Sequence, residues 1–99
     1  MTRAPSVWLV CYDICDDRRG RAVYTLMRGY GDHLQYSVFR CVMSDLQRAT
    51  LEGRLHAVID HTEDQVLFVP LGQADSERAW RMHTLGVPLA LPERAAKVF

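Results

Sequence analysis

Long apolar runs are missing from this sequence. The first apolar run spans only residues 7–12 before the charged Asp13 interrupts it, which is too short for a membrane span or for the apolar region of a secretory signal. The absence of both patterns argues against a membrane partner and predicts that the protein works in the cytoplasm.

Cysteine and lysine are both scarce. The three cysteines form no C-x-x-C pair, and an odd number without an export signal argues against a disulfide framework. Lys97 is the single lysine beside eleven arginines, and the formal net charge is zero. Binding of nucleic acid by bulk charge is therefore not expected, although the arginine fork suits phosphate oxygens wherever several arginines share a surface.

Familiar catalytic motifs are also absent. There is no Walker phosphate loop, no G-x-S-x-G elbow and no order of Ser, His and Asp on which to build a hydrolase. Among the histidines only His56 and His61 have a spacing typical of zinc ligands, and two further ligands would be needed. The sequence therefore argues against a nucleotide hydrolase and a zinc protein.

What is present is an alternation of strands and helices. Residues 7–12 predict a buried strand, and Asp16 or Asp17 begins a helix that reaches about residue 28. Gly29 and Gly31 bracket its end, as a glycine after a helix would. Ser44 and Gln47 match a capping box at the start of a second helix, which runs to about residue 60. Further extended segments are predicted at 33–43, 64–71 and, more briefly, 79–84.

This order predicts an α+β fold in a single domain over residues 1–99. Two amphipathic helices among short strands suggest one antiparallel sheet with both helices on one face. If residues 33–43 form a tight hairpin, broken near Phe39-Arg40, rather than one bent strand, the pattern is βαββαβ, which is ferredoxin-like. The tail, residues 85–99, carries two prolines and is expected to dock on a partner subunit.

The motifs in this order resemble the CRISPR-associated Cas two (Cas2) family. Tyr12-Asp13-Ile14 closes the first strand, the segment 16–21 with its paired acids and arginines opens the helix, and Gln35-Tyr36-Ser37-Val38-Phe39 follows. The resemblance covers roughly residues 7–71. It departs at Arg40, where the family often has an acidic residue, and that arginine could add a phosphate contact instead.

The resemblance implies a homodimer that works with the Cas one (Cas1) integrase and holds foreign double-stranded DNA for insertion into a CRISPR array. It also implies Mg²⁺-dependent cleavage, with Mn²⁺ as a possible substitute, of single-stranded RNA or double-stranded DNA. Asp13 would be the catalytic and metal-binding residue, and two chains related by a two-fold axis could supply a pair of carboxylates. From the residues alone, the favoured interpretation is that Asp13 only ends the strand and caps a turn.

The remaining predicted site residues are a set of phosphate contacts and a pair of subunit contacts. Tyr36 and Phe39 are predicted at the dimer interface, with core packing or contact with nucleic acid as the alternatives for both. The predicted nucleic-acid-binding residues are Arg18, Arg19, Arg21, Arg28 and Ser37. Two other functions stay open: a scaffold that binds DNA without cutting it, and a toxin-type ribonuclease of the virulence-associated D kind.

Overall fold

The computed structural model describes residues 4–89, which form one sheet and three helices in the order βαββαβα. No helix in this part of the chain is long and apolar enough to cross a membrane. The elements are β1 (Ser6–Asp13), α1 (Asp17–Arg28), β2 (Gly31–Gln35), β3 (Val38–Met43), α2 (Asp45–Val58), β4 (Gln65–Gln73) and α3 (Glu77–Trp80).

The four strands form one antiparallel sheet in the order β2-β3-β1-β4. β1 lies between β3 and β4, which explains why its sequence is apolar almost throughout. Asp13, at its end, pairs with Gln65 at the start of β4. This topology confirms the predicted ferredoxin-like βαββαβ arrangement. β4 is an edge strand, where a residue without an amide hydrogen, such as Pro70, is tolerated.

Both long helices cover the same face of the sheet. Alternate residues of β1 and β3, such as Val10 and Phe39, turn towards the helices and are fully buried. They meet α1 through its inner face and α2 through Leu51 and Leu55. Burial of this apolar face is the main stabilising contribution to the layer. Leu46, predicted to lie off the buried stripe of α2, is exposed.

The starts of both helices follow the capping pattern of the sequence. The Asp16 carboxylate accepts a hydrogen bond from the Arg19 amide at 2.9 Å. Ser44 and Gln47 bond reciprocally, side chain to backbone, so the predicted capping box is confirmed.

The glycines at the end of α1 act differently from the prediction. Gly29 caps the helix with φ −79°, a right-handed conformation that any residue adopts. Gly31 is needed for space instead. It pairs with Cys41, and a Cβ atom there would collide with the Arg40 carbonyl oxygen and the Cys41 sulfur.

Residues 33–43 form a hairpin, but its turn is not at Phe39-Arg40. Gln35 pairs with Val38, which leaves Tyr36 and Ser37 as a two-residue connection. Tyr36 takes the positive φ of 43° that such turns require and that Asn or Gly would normally provide. The missing Asn-Gly signal explains why the sequence did not locate the turn.

Two further boundaries differ from the prediction. β4 continues through Pro70 to Gln73, with an irregular register opposite Val7 and Trp8. The predicted short strand at 79–84 is wrong, because Glu77–Trp80 is a turn of helix and residues 81–84 have no regular structure. Ala79 instead packs with Val7 on the face of the sheet away from the long helices. Most of the predicted docking tail, residues 90–99, lies outside the described residues.

Candidate active site and nucleic-acid-binding residues

Asp13 is an exposed carboxylate on a well-supported backbone. It is the last residue of the central strand, three positions after the fully buried Val10. Neighbouring strands hold β1 on both sides, so the main chain of Asp13 is fixed while its side chain reaches solvent. A carboxylate so placed can bind a cation or an incoming hydrogen-bond donor.

The β2–β3 turn lies directly beside Asp13. The Tyr12 amide donates to the Ser37 carbonyl oxygen at 3.1 Å, which extends the β1–β3 pairing to the residue before Asp13. The structure therefore brings Asp13 and Ser37, predicted separately, to the same end of the sheet. Tyr36 projects from this turn with 89% of its surface exposed.

The His33 side chain holds the turn by a hydrogen bond to its backbone. One nitrogen of its ring, Nε2, lies 2.6 Å from the Tyr36 carbonyl oxygen and donates to it. The His33 ring packs on Phe39, with centroids 4.9 Å apart, and edge-on against Tyr24. The sequence analysis assigned no role to His33, because its partner is a backbone atom of a turn that was not located.

On its other side, Asp13 is followed by a loop, residues 14–16, that the Asp64 carboxylate holds in place. Asp64 accepts from the Cys15 amide at 2.9 Å and from the Asp60 amide at 2.8 Å. It also forms a two-pronged ion pair with Arg19, at 2.8 and 3.2 Å. The Asp64 side chain is fully buried in this network.

The contacts in this network shift the pKa values of Asp64, Arg19 and Cys15. The hydrogen bonds from Arg19 hold the pKa of Asp64 well below its usual range, and the same contact raises the pKa of Arg19. Burial, followed by the nearby carboxylates of Asp13 and Asp64, raises the pKa of the Cys15 thiol. The Cys15 thiol donates to the Glu63 carbonyl oxygen at 3.0 Å.

The structure divides the four predicted phosphate-binding arginines. Arg18, Arg21 and Arg28 are exposed along α1. Arg28 donates to the Tyr24 hydroxyl at 3.1 Å and lies over that ring. Arg19 is the exception, because its guanidinium is engaged by Asp64 and Glu63, so we reassign it from phosphate binding to holding the loop.

Two further predictions are corrected by burial. Phe39 is fully buried and stacks on Tyr12 inside the protomer, so it is a core residue and not a subunit contact. Arg40, considered as a phosphate contact, is 5% exposed beneath Trp80 on the other face of the sheet. Burial lowers its pKa, and its guanidinium donates to the Trp80 carbonyl oxygen at 3.4 Å. It does not face the end of the sheet that holds Asp13.

The donors for a metal ion are incomplete within the part of the chain that the structure describes. Among residues 4–89, no group of three or more His, Cys, Asp or Glu side chains could hold a metal ion. Asp13 supplies hard oxygen ligands, which suit Mg²⁺, but a second carboxylate must come from another source. A second copy of the chain would provide it.

Taken together, the fold and its site define a small ferredoxin-like α+β protein with a carboxylate at the end of its central strand. The profile of the family described as CRISPR associated protein Cas2 matches residues 6–79. The chain belongs to the Cas2 family.

Curated relatives and solved structures agree with this assignment. A protein of Rhodospirillum rubrum named CRISPR-associated endoribonuclease Cas2 1 is 34% identical over 97 residues, which is 98% of this chain and 94% of that protein. A relative from Thermodesulfovibrio yellowstonii, CRISPR-associated endoribonuclease Cas2 2, is 41% identical over 64 residues, or 65% of this chain and 70% of its own length.

The solved structures resemble the fold closely. Streptococcus pyogenes Cas2 is 33% identical and superposes with a TM-score of 0.69, covering 81% of this chain and 99% of its own. A hypothetical protein of Thermus thermophilus, TT1823, reaches a TM-score of 0.75 at 26% identity, covering 89% and 99% of the two chains.

Proposed function

We propose that this protein is a dimeric, metal-dependent endonuclease of CRISPR adaptation that cleaves single-stranded RNA or double-stranded DNA. The observation that carries the proposal is Asp13, an exposed carboxylate at the end of a buried strand and beside the Ser37 turn. The relatives named as endoribonucleases support a phosphodiester substrate. We place this function in the cytoplasm.

In this proposal, Asp13 from each of two protomers holds Mg²⁺, or Mn²⁺ in its place. The ion would supply an activated water and offset the charge that develops on the phosphate. The chain itself contributes rigidity, because β1 is paired on both sides and Asp64 holds the loop after Asp13. Ser37 would orient the nucleic acid by a hydrogen bond from its hydroxyl to a phosphate oxygen.

The arginines of α1 would bind the nucleic-acid backbone. Arg18, Arg21 and Arg28 are exposed on one helix, and a two-fold axis would double the row. Contacts of this kind position a duplex without reading its sequence, and they weaken as salt rises. Holding a duplex for the Cas1 integrase would require only such contacts.

The dimer is supported by an exposed apolar strip on β4. Leu67, Val69 and Leu71 are 51%, 39% and 38% exposed, whereas the neighbouring Val66 and Phe68 pack on the core. Within residues 4–89, the outer edge of β4 pairs with no strand, so it also offers unpaired backbone groups. A second copy could cover both features. Tyr36, predicted as a subunit contact, lies on the β2–β3 turn and is not part of this strip.

A scaffold that binds duplex DNA without cutting it is the second candidate. The observation that favours it is that a single chain offers one exposed carboxylate at this site and no complete set of metal ligands among residues 4–89. The exposed arginines would serve a scaffold equally well. The two functions differ in whether Asp13 matters to the reaction.

The deciding experiment compares the wild type, Asp13→Ala and Asp75→Ala on labelled single-stranded RNA and on duplex DNA. Asp75 is an exposed acid in the turn after β4, so its variant is a matched control. Each protein is assayed with Mg²⁺ and with EDTA, and duplex binding is measured in parallel. We expect Mg²⁺-dependent cleavage in the wild type and the control, and a loss of at least about 100-fold in Asp13→Ala.

Three other results would change the conclusion. If neither substrate is cut while all three proteins bind duplex in a salt-sensitive manner, the protein is a scaffold. If Asp13→Ala still cuts, the assignment of Asp13 is wrong. If no nucleic acid binds at all, both candidate functions are wrong.

A further inference from the structure

Tyr36 combines two features that a turn residue rarely has without a function. Its backbone lies at φ 43°, a left-handed conformation that is less favourable for a residue with a Cβ than for glycine. Its aromatic ring is almost wholly exposed and so gains nothing from burial in the protomer. A glycine or asparagine would build the same turn with less strain. The fold therefore does not need a tyrosine here.

The turn that carries Tyr36 is nevertheless rigid. His33 donates to the Tyr36 carbonyl oxygen, and the His33 ring is fixed between Phe39 and Tyr24. On the other side, the Ser37 carbonyl oxygen accepts from the Tyr12 amide. Because the backbone on both sides of the peptide is held, the exposed ring is anchored with little loss of main-chain freedom on binding. Pre-organisation of this kind is useful for a binding surface.

The surroundings of Tyr36 favour nucleic acid over a protein partner. Gln35 and Ser37 flank it along the chain, Asp13 lies at the same end of the sheet, and Tyr36 packs in neither apolar cluster of the protomer. The exposed apolar strip of Leu67, Val69 and Leu71 lies on β4, at the opposite edge of the sheet from β2. A protein interface is usually built around a continuous apolar centre, which Tyr36 lacks.

We propose that Tyr36 is a stacking platform for an unpaired base next to the phosphate held at Asp13. An exposed aromatic ring stacks on any base because every base has a π face, but in a duplex those faces are covered by neighbouring base pairs. Tyr36 would therefore favour single-stranded nucleic acid, or a frayed end, over an intact duplex. This inference rests on the proposed function, since it requires nucleic acid at the Asp13 end of the sheet.

The test uses single-stranded RNA carrying the fluorescent base 2-aminopurine, whose emission is quenched by stacking. Wild type, Tyr36→Phe, Tyr36→Gly and Tyr36→Asn are titrated into it, with Ca²⁺ in place of Mg²⁺ to limit cleavage. Gly and Asn both remove the ring and accept the left-handed backbone, so the pair guards against misfolding of one variant. A fully paired duplex is titrated in parallel.

We expect wild type and Tyr36→Phe to quench the fluorescence equally. Tyr36→Gly and Tyr36→Asn should abolish the quenching and bind the single strand about ten-fold more weakly, with duplex affinity unchanged. Quenching that persists in both ring-free variants would overturn the proposal. A ring-free variant that sediments as a monomer while the wild type is a dimer would also overturn it, because Tyr36 would then be a subunit contact.

The same measurements separate this inference from the function on which it rests. If Asp13-dependent cleavage is seen but the ring-free variants quench normally, the stacking role is wrong and the nuclease assignment stands. If the wild type binds neither single strand nor duplex, the proposed function fails and the stacking role fails with it.

Discussion

Two segments flank Asp13, and they are held in opposite ways. The loop of residues 14–16 is fixed by polar contacts from a distant part of the chain, chiefly the buried Asp64 and its ion pair with Arg19. The turn of Tyr36 and Ser37 is held by hydrogen bonds from the His33 ring and the Tyr12 amide, and the His33 ring packs on Phe39. The Cys15 amide and the Asp16 carboxylate of the loop form hydrogen bonds within the chain, whereas the turn leaves its largest side chain in solvent.

This difference indicates a division of labour around the carboxylate. A loop whose Cys15 amide and Asp16 carboxylate already form hydrogen bonds within the chain helps to keep Asp13 in place and has fewer groups left to offer a ligand. A turn that leaves a tyrosine exposed at a cost in strain has something to offer a ligand but contributes less to stability. Substitutions in the loop and in the turn should therefore affect stability in different ways.

Removing the Phe39 ring, on which His33 packs, should have the largest effect on stability. Phe39→Ala deletes a fully buried ring that contacts Tyr12, Tyr24 and His33, so we expect a loss of about 3–5 kcal/mol in the free energy of unfolding. Urea denaturation followed by tryptophan fluorescence measures it. The more conservative Phe39→Leu should lose clearly less, and equal losses would mean that the ring geometry does not matter.

Removing the charge of Asp64, which holds the loop after Asp13, should give a loss of stability that depends on pH. The pKa of Asp64 is lower in the folded than in the unfolded protein, so its contribution is complete above the unfolded value, near 3.8, and is lost as the pH falls through the folded pKa. The urea midpoint of Asp64→Asn should therefore lie below that of the wild type at pH 6, and the gap should narrow below about pH 4.

The matched control for this variant is Glu52→Gln. Glu52 forms an exposed ion pair with Arg48 at 2.6 Å within α2, and such pairs contribute little to stability. Its midpoint should match the wild type at both pH values. A pH-independent gap for Asp64→Asn would contradict the assigned charge pairing and leave only the lost hydrogen-bond geometry as the cause.

Relieving the strain in the turn should produce a small gain. Tyr36→Gly removes the left-handed cost but adds freedom to the unfolded chain, so we expect a net increase of about 0.5–1 kcal/mol in the free energy of unfolding. Ser37→Gly, at the neighbouring position where φ is not positive, should instead lose a similar amount. If both variants lose stability equally, the turn is not strained at Tyr36.

The smallest effect on stability is expected for an exposed arginine of α1. Arg28→Ala should change the free energy of unfolding by less than about 0.5 kcal/mol. It should nevertheless reduce the slope of duplex affinity against salt concentration, on logarithmic scales, by the amount expected for one lost phosphate contact. Fluorescence anisotropy at several salt concentrations measures this slope. Arg19→Ala should show the reverse, a lower melting temperature with an unchanged slope, because its guanidinium is engaged inside the protein.

Local signals explain which parts of this structure could be predicted from the sequence. The helix starts at Asp16 and Ser44 were predicted because capping depends on residues within one turn of each other. Asp13 was predicted because it directly follows an apolar strand. Arg19 was misassigned because its partner Asp64 lies 45 positions away, and no local pattern distinguishes an internal ion pair from an exposed charge.

The hairpin was only half predicted for a similar reason. The residues had the alternation of a strand, but the turn uses Tyr36 in place of the usual Asn-Gly, and the hydrogen bond that supports it comes from a histidine. Burial of Arg40 could not be predicted either, because Trp80, which covers it, was expected on a strand. Both errors come from contacts that only the folded chain creates.

The Asp64 carboxylate also has a consequence for the timing of local motion. It accepts the amide hydrogens of both Cys15 and Asp60, which belong to loops at the starts of different elements. Neither amide can exchange its hydrogen with solvent until its bond to this shared acceptor opens. The two loops should therefore open as one unit, with matched hydrogen-exchange rates. A fluctuation of the loop after Asp13 is then coupled to the loop between α2 and β4.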